Sequence, residues 1–330
     1  MLKKLVYPAE ELFKKKSSSV EKEEVAPPVS AQVTARVLTQ QEVEEWEAEK
    51  ATEVAMLRDW LKKQPHLPQN LTNEQLLVFL QSCYNSVEQT KTKIDNHFTM
   101  RTHAPEIFTS RSIQSKEVTQ ALRVARVSPL KIPNGHNVIF VDCVDPNVEN
   151  YNLTAVLKAT GMAIDTLIRY YPREDNVVLV FDMRNSVLAH VLRTNLVTLK
   201  KGMLFVQTSL PFRLTEIHVI NAFPLIHQIQ TMLKPFINSE LSKLIHIHMQ
   251  DNMDSFYKYI PKKYLPKDYG GESMSLQELN DILKKMIKEQ EPYLEAVEQQ
   301  KVNENKRAGM AKSSSDVFGL EGSFRKIEFD

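Results

Sequence analysis

Apolar residues recur at helical spacing before residue 105, then give way after residue 135 to short continuous runs, and that change of texture divides the chain. From a capping box at Thr39-x-x-Glu42, the positions Val43, Trp46, Val54, Leu57 and Leu61 fall on one side of a predicted helix that Pro65 and Pro68 close. Two more helices are predicted from Thr72-x-x-Gln75, with the stripe Leu76, Leu77, Phe79, Leu80 and Cys83, and from Ser86-x-x-Gln89, with Val87, Ile94 and Phe98. Residues 39–105 therefore read as a small helical bundle. The runs Val138–Val141 and Val177–Phe181 have the look of strands buried on both faces, as parallel strands are. Further strands are predicted over Ile217–Ile220 and Leu244–Met249. Helices near 153–171, 187–208 and 224–235 are long enough to cross over between them. A last amphipathic helix starts at Ser275-x-x-Glu278 and shows Leu276, Leu279, Leu283, Met286 and Ile287. The fold class is α/β, a mainly parallel sheet with flanking helices behind a helical bundle.

Charge and cysteine content narrow the partners. The 330 residues carry 42 basic and 41 acidic side chains, a net charge of +1, which argues against nucleic acid because phosphate neutralisation needs a basic excess or stripe. Cys83 and Cys143 are too few for a disulfide framework or a four-ligand zinc site and read as reduced thiols in a cytoplasmic protein. No run reaches the roughly 20 apolar residues that span a bilayer. The start lacks a secretory apolar run and neither end carries a lipidation motif, so any membrane contact is expected to be peripheral and reversible. Residues 1–38 read as a flexible lead-in and 301–315 as a polar, mobile stretch, whereas Phe324, Ile327 and Phe329 suggest an end that docks onto the body.

The usual signatures of α/β enzymes are missing. None of the eight glycines forms GxGxxG or GxxxxGK[ST], so the phosphate cradle of nucleotide sites is absent. There is no GxSxG elbow, and Ser186 lacks the glycines such a turn requires. His246-x-His248, with His218 on a neighbouring strand, is the best metal candidate, but no third ligand is evident, and structural hydrogen bonding is the stronger reading. Asp142 and Asp182 end two strands, where accepting backbone hydrogen bonds in the following turn outweighs catalysis. No enzyme activity, metal or cofactor is expected.

One segment carries more. Between 222 and 237, Leu225, Ile226, Ile229, Met232, Leu233, Phe236 and Ile237 form a wide apolar face, and Lys234-Pro-Phe236 closes it. With Leu57-Arg-Asp-Trp-Leu61, Leu76–Leu80, Val180-Phe-Asp-Met183, Ile217-His-Val-Ile-Asn-Ala222, Ile245-His-Ile-His248 and Leu265-Pro-Lys-Asp-Tyr-Gly-Gly271, the ordered set over about residues 50–300 resembles the CRAL-TRIO family of retinaldehyde, tocopherol and phosphatidylinositol carriers, in its tocopherol-transfer-like branch. The resemblance implies a helical N-terminal domain over 39–110, a lipid-binding domain over 111–300 and a C-terminal tail over 301–330. It implies a sheet floor, helical walls and a mobile lid at about 223–237, with Leu225, Ile226, Met232 and Ile237 on the lid. The implied lining of the hydrophobic pocket is Phe140, Ile164, Leu167, Leu179, Phe181, Leu199, Val206, Ile217, Val219, Ile229, Leu233 and Phe236. Continuous apolar runs do not reveal which face of each strand points inward.

The implied function is binding and transfer of a small hydrophobic ligand (retinoid, tocopherol-like, carotenoid, sterol or phospholipid) between membranes, with that ligand and a transient membrane surface as partners. The alternative is a protein-interaction module that keeps the fold without transfer. The chain departs from relatives that place arginines on the second cap helix, having Leu76-Leu-Val-Phe-Leu-Gln-Ser-Cys83 there. Arg213, Lys234 and Lys243 remain as candidates for lipid-headgroup contact, including phosphoinositides, and solvated surface charge is at least as good a reading of them.

Overall fold

The computed structural model describes residues 36–319, apart from 133–136, 174–175, 188, 191–192 and 225. The helical part comprises α1 (Gln40–Glu49), α2 (Ala51–Lys62), α3 (Asn73–Ser82), α4 (Val87–His103), the short α5 (Pro105–Phe108) and α6 (Lys116–Val124). Thr39 and Thr72 form reciprocal capping boxes, and Ser86 accepts from Gln89 N. The single helix expected after Thr39 is two helices, because the backbone leaves helical geometry at Lys50. Trp46, Leu57, Leu61, Leu76, Leu80, Ile94 and Phe98 fuse α1–α4 around one core.

The remaining elements are β1 (Ala125–Lys131), β2 (Asn137–Cys143), α7 (Leu153–Tyr170), β3 (Asn176–Asp182), α8 (Leu196–Thr208), β4 (Arg213–Ala222), α9 (Ile226–Leu233), α10 (Ser239–Lys243), β5 (Ile245–Met249), α11 (Asp254–Tyr257), α12 (Leu276–Glu289), α13 (Glu291–Glu298) and α14 (Ser314–Phe318). β1 was not foreseen. Its Ser128 and Pro129 spoil a strand pattern, and proline is tolerated there because β1 is the sheet's edge. It runs antiparallel to β2, while β2 to β5 are parallel and lie in sequence order.

That order has a geometric consequence. Parallel crossovers are right-handed, so strands added one after another in the same direction carry their connecting helices on the same face. Met162 and Leu167 of α7, Phe205 of α8 and Leu241 of α10 accordingly share a core with Ile139, Val177, Leu179 and Ile217. The opposite face, with Val138, Phe140, Val178, Val180 and Ile220, is covered by Phe256, Ile260, Leu265 and Tyr269 from the chain after β5. α12 crosses the β1 edge, where Asn280 Nδ2 donates to Val127 O at 2.7 Å and Ser128 Oγ donates to Leu276 O at 2.8 Å.

The helical unit joins the sheet domain through buried charge. Arg101 on α4 grips Asp165 on α7 with bonds of 3.0 and 2.9 Å, and Arg111 Nη1 adds a third at 2.6 Å. Burial alone would raise the Asp165 carboxyl pKa, but the two guanidiniums outweigh it and hold the carboxyl well below the usual carboxylate range. The chain after α13 reinforces this joint instead of forming a mobile stretch. Val302 is buried in the helical core, Asn303 N donates to His66 O at 2.8 Å, and Arg307 Nη1 donates to Asp95 at 3.0 Å. Phe318 is buried against α8, with Lys201 Nζ 5.1 Å from its ring centre. The anticipated docking residues Phe324, Ile327 and Phe329 lie outside the described residues.

Replacing Asp165 leaves two buried guanidiniums facing each other. Asp165→Ala is expected to lower unfolding free energy by about 3–5 kcal/mol, read from urea denaturation. An unchanged midpoint would show that the cluster does not hold the two parts together.

Candidate functional site

Strand register lays out a row of side chains at the carboxyl ends of the parallel strands: Val141 opposite Phe181, Phe181 opposite Val219, and Val219 opposite Ile247. The row below it is Ile139, Leu179, Ile217 and Ile245. Both rows face the crossover helices. In the lower row Ile139, Leu179 and Ile217 are buried, yet all four members of the upper row are half-buried. An inward side chain on a covered sheet keeps accessible surface only where a water-sized space adjoins it. The upper row thus keeps accessible surface at the carboxyl ends of the strands, where ligands settle in open α/β sheets.

The walls and roof follow from the same face. Leu157 and Ile164 of α7 and Val206 of α8 are half-buried against the main core. Leu199, seven residues before Val206 on the same side of α8, is half-buried as well. The roof is α9. Its Ile226 and Ile229 are buried with Ala222 and pack with Val219, Phe223, Leu233, Ile247 and Met249 as a cluster distinct from the main core. Phe181 belongs to the main core and its register neighbour Val219 to the roof cluster, so the upper row is divided between β3 and β4, while Ile217 and Ile245 of the row beneath stay with the main core.

On the same face a recess is lined by Ile164, Leu167, Ile168, Tyr171, Val177, Phe212, Ile282 and Met286, where about 50 Å³ is open to the centre of a water-sized sphere. That is room for about three or four waters.

A bulge aims the chain into the roof. The β4–β5 register shifts between Val219 and Ala222, and Asn221 takes a left-handed φ of 51°, which asparagine tolerates. Asn221 Nδ2 donates to Asp182 Oδ1 at 2.8 Å, and Asp182 also accepts from Arg184 N at 2.9 Å and Tyr269 OH at 2.8 Å. Asp182 is therefore a backbone- and turn-holding group, in keeping with its structural reading. Asp142 is held differently from expectation, by the Arg126 guanidinium at 3.0 and 2.7 Å.

Among the expected lining residues, Phe181 and Val219 lie in the upper floor row, with Ile164, Leu199 and Val206 on the walls and Ile229 and Leu233 on the roof. Leu179 and Ile217 are buried beneath the upper row, and Leu167, with Ile164, borders the recess. Phe236 is half-buried just past the roof helix.

Phe140 is a correction. Alternation places it on the other face with Val138, where it is fully buried and stacks on Tyr269 with ring centres 5.5 Å apart. Of the lid residues, Ile226 is buried in the roof cluster, Met232 and Ile237 are half-buried, and Leu225 lies outside the described residues. The sequence reading missed Val141, Ile247, Phe212, Ile282 and Met286; strand parity, had it been known, would have supplied the first two.

The three cations are not equivalent. Arg213 stacks 4.4 Å from the Tyr84 ring of the helical unit, Lys243 pairs with Glu240 at 2.9 Å, and Lys234 is exposed at the end of α9. The histidines form a hydrogen-bonded chain on the far face of the sheet: Ser255 Oγ to His248 Nδ1 at 2.7 Å, His248 Nε2 to His218 Nδ1 at 3.0 Å, and His218 Nε2 to Glu216 at 2.9 Å. Ser255 Oγ also donates to Asn252 O at 2.8 Å, which ties the chain to the turn before α11. Burial, with His218 and His246 adding to it, brings the His248 pKa down to about 4. No group of three or more His, Cys, Asp or Glu arranged to hold a metal occurs among the described residues.

Residues 133–271 match the CRAL/TRIO domain, and residues 46–118 match a domain described as Pinta-like, UBA domain. Alpha-tocopherol transfer protein-like of Homo sapiens is 26% identical over 236 residues, 70% of this chain and 67% of that protein. Clavesin-1 of Rattus norvegicus is 25% identical over 138 residues, 42% of this chain and 39% of that protein. The crystal structure of Sfh5 overlays with a TM-score of 0.45 at 12% identity, covering 78% of this chain and 99% of that one.

The buried histidines make stability depend on acid. Burial, helped by Arg101, lowers the His97 pKa to about 3, and His248 lies near 4, both from 6.5. Below pH 6.5 the unfolded chain binds protons at these rings while the folded chain does not, so stability is complete above that pH and falls as the pH approaches 4. The urea midpoint is expected to drop between pH 7 and pH 5, and less steeply in His248→Gln. Equal slopes in the two proteins would rule out His248 as a source.

Proposed function

Because this chain belongs to the CRAL-TRIO family, we propose that it binds one small hydrophobic molecule over the upper floor row and carries it between membranes, with α9 as the lid. The observation that carries the reading is the half-buried row Val141, Phe181, Val219 and Ile247 beneath a roof that forms an apolar cluster of its own. Ordinary core packing would bury this row as it buries most of the row beneath.

The energetics suit a carrier. Hiding roughly 400 Å² of apolar ligand surface gains about 10 kcal/mol over water at roughly 25 cal/mol per Å². A bilayer offers a similar gain, so the protein only has to match it, and a lid that opens at the membrane spares the ligand a passage through water. The roof's apolar contacts to Val219, Ile247 and Met249 are the surfaces that a ligand tail would replace. The named relative's tocopherol makes a chromanol- or retinoid-sized amphiphile the first ligand to try. The proposed membrane contact is peripheral and reversible, made from the cytoplasm; no helix among the described residues is long and apolar enough to cross a membrane. No chemical step is needed for such a role.

Organic extraction of the purified protein followed by mass spectrometry is expected to yield an enriched lipid, and the emptied protein to take up α-tocopherol, retinol or phosphatidylcholine from vesicles. Val219→Trp, which fills the floor between Phe181 and Ile247, is expected to reduce uptake at least tenfold while the circular dichroism spectrum stays unchanged. Wild-type protein that neither retains nor takes up any of these lipids would refute the carrier reading.

A further inference from the structure

The inference rests on the carrier reading and concerns what keeps the lid in place. Among the described residues, the roof cluster holds α9 by apolar contacts, which are non-directional and tolerate sliding. The lid's exit is held differently. Near the end of α8, Gln207 Nε2 donates to Phe236 O at 2.9 Å and to Met203 O at 3.0 Å, and its Oε1 accepts from Asn238 N at 2.7 Å. Both amide hydrogens and the amide oxygen are therefore engaged.

Two of these bonds go to alternate residues on either side of Ile237, which is extended with φ −112° and ψ 122°: Phe236, the last residue of the 3-10 turn Lys234–Phe236, and Asn238, which is extended as well. The side chain thus imitates a neighbouring strand, one donor and one acceptor offered to a single edge.

The surroundings make this clamp the directional part of the hinge. Pro235 takes a donor out of the last turn of the lid, and the bond from Ile237 N to Lys234 O is long, at 3.4 Å. Beyond the clamp, Asn238 Oδ1 caps α10 by accepting from Leu241 N at 2.8 Å, so the chain is fixed again at once. At the carboxyl end of α9, the change in backbone angle needed to lift it falls on the few residues that Gln207 holds. Met203 and Gln207 both belong to α8, the pocket wall, so the clamp ties roof to wall. We propose that Gln207 is the positioning residue of ligand exchange: the lid swings when its bonds to Phe236 and Asn238 break, and that break sets the exchange rate.

The test compares the full-length wild type with Gln207→Met, of similar length but without hydrogen bonds, and with Gln207→Glu. Two quantities are measured: hydrogen exchange at the amides of residues 234–238, and release of an NBD-labelled tocopherol to phosphatidylcholine vesicles. Gln207→Met is expected to speed both about tenfold, the equivalent of about 1.4 kcal/mol, with little change in the urea midpoint. In Gln207→Glu the carboxylate still accepts from Asn238 N but repels Phe236 O, and on protonation it regains a donor. Its release is therefore expected to be fast at pH 7.5 and to slow toward the wild-type rate as the pH falls to 5, a profile absent from Gln207→Met. Faster amide exchange with unchanged release would overturn the proposal and leave the carrier reading standing. Unchanged amide exchange would overturn it as well. Wild type that takes up no labelled tocopherol would remove both.

Discussion

The handedness of the crossovers governs this molecule. Four parallel strands added in sequence order must send α7, α8 and the α9–α10 segment over one face, because each βαβ turn is right-handed. A doubly wound sheet would divide its helices between two faces and put its site in the crevice between them. Here one face receives all the crossovers and the other is sealed by the chain after β5. Helices crowded onto one face can arch over the strand ends, and the half-buried upper row lies under that arch. The location of the site follows from topology before any particular side chain is considered.

Side chains then decide what the space is. Val141, Phe181, Val219 and Ile247 make the floor apolar, and the bulge at Asn221 turns Ala222 to the same side so that the chain enters the roof directly. Asp182 matters through Asn221, Arg184 and Tyr269, which it holds at the strand ends. The histidine chain through His218 and His248 joins β4, β5 and α11 on the far face, away from the upper row. Polar groups in this domain brace the frame and leave the interior to hydrocarbon.

Much of the frame was legible in the sequence. Capping residues Thr39, Thr72, Ser86 and Ser275 occupy the helix starts expected of them, because a cap is a local hydrogen bond that three or four residues specify. The four parallel strands were readable from their apolar runs. Those same runs hid the inward face: a strand apolar on both sides carries no parity signal, and Phe140 was assigned to the wrong side for that reason. β1 escaped notice because an edge strand need not satisfy the pattern of an interior one. Gln207 also escaped notice, because one amide in an apolar helix looks like surface until its partners 29 and 31 residues further on are known.

The segment after α13 has a bearing on how the molecule comes into being. Gln75 meets Gln300 across 225 positions, and Val302 completes a core whose other members lie between Trp46 and Phe98. The N-terminal helices leave the ribosome first, yet the residues that finish their interior are made only after the sheet. Contacts so distant in sequence are costly to close and slow to form. During translation the bundle must wait as an unfinished, partly exposed apolar surface, with the remainder of the chain growing from it, until its own missing piece arrives.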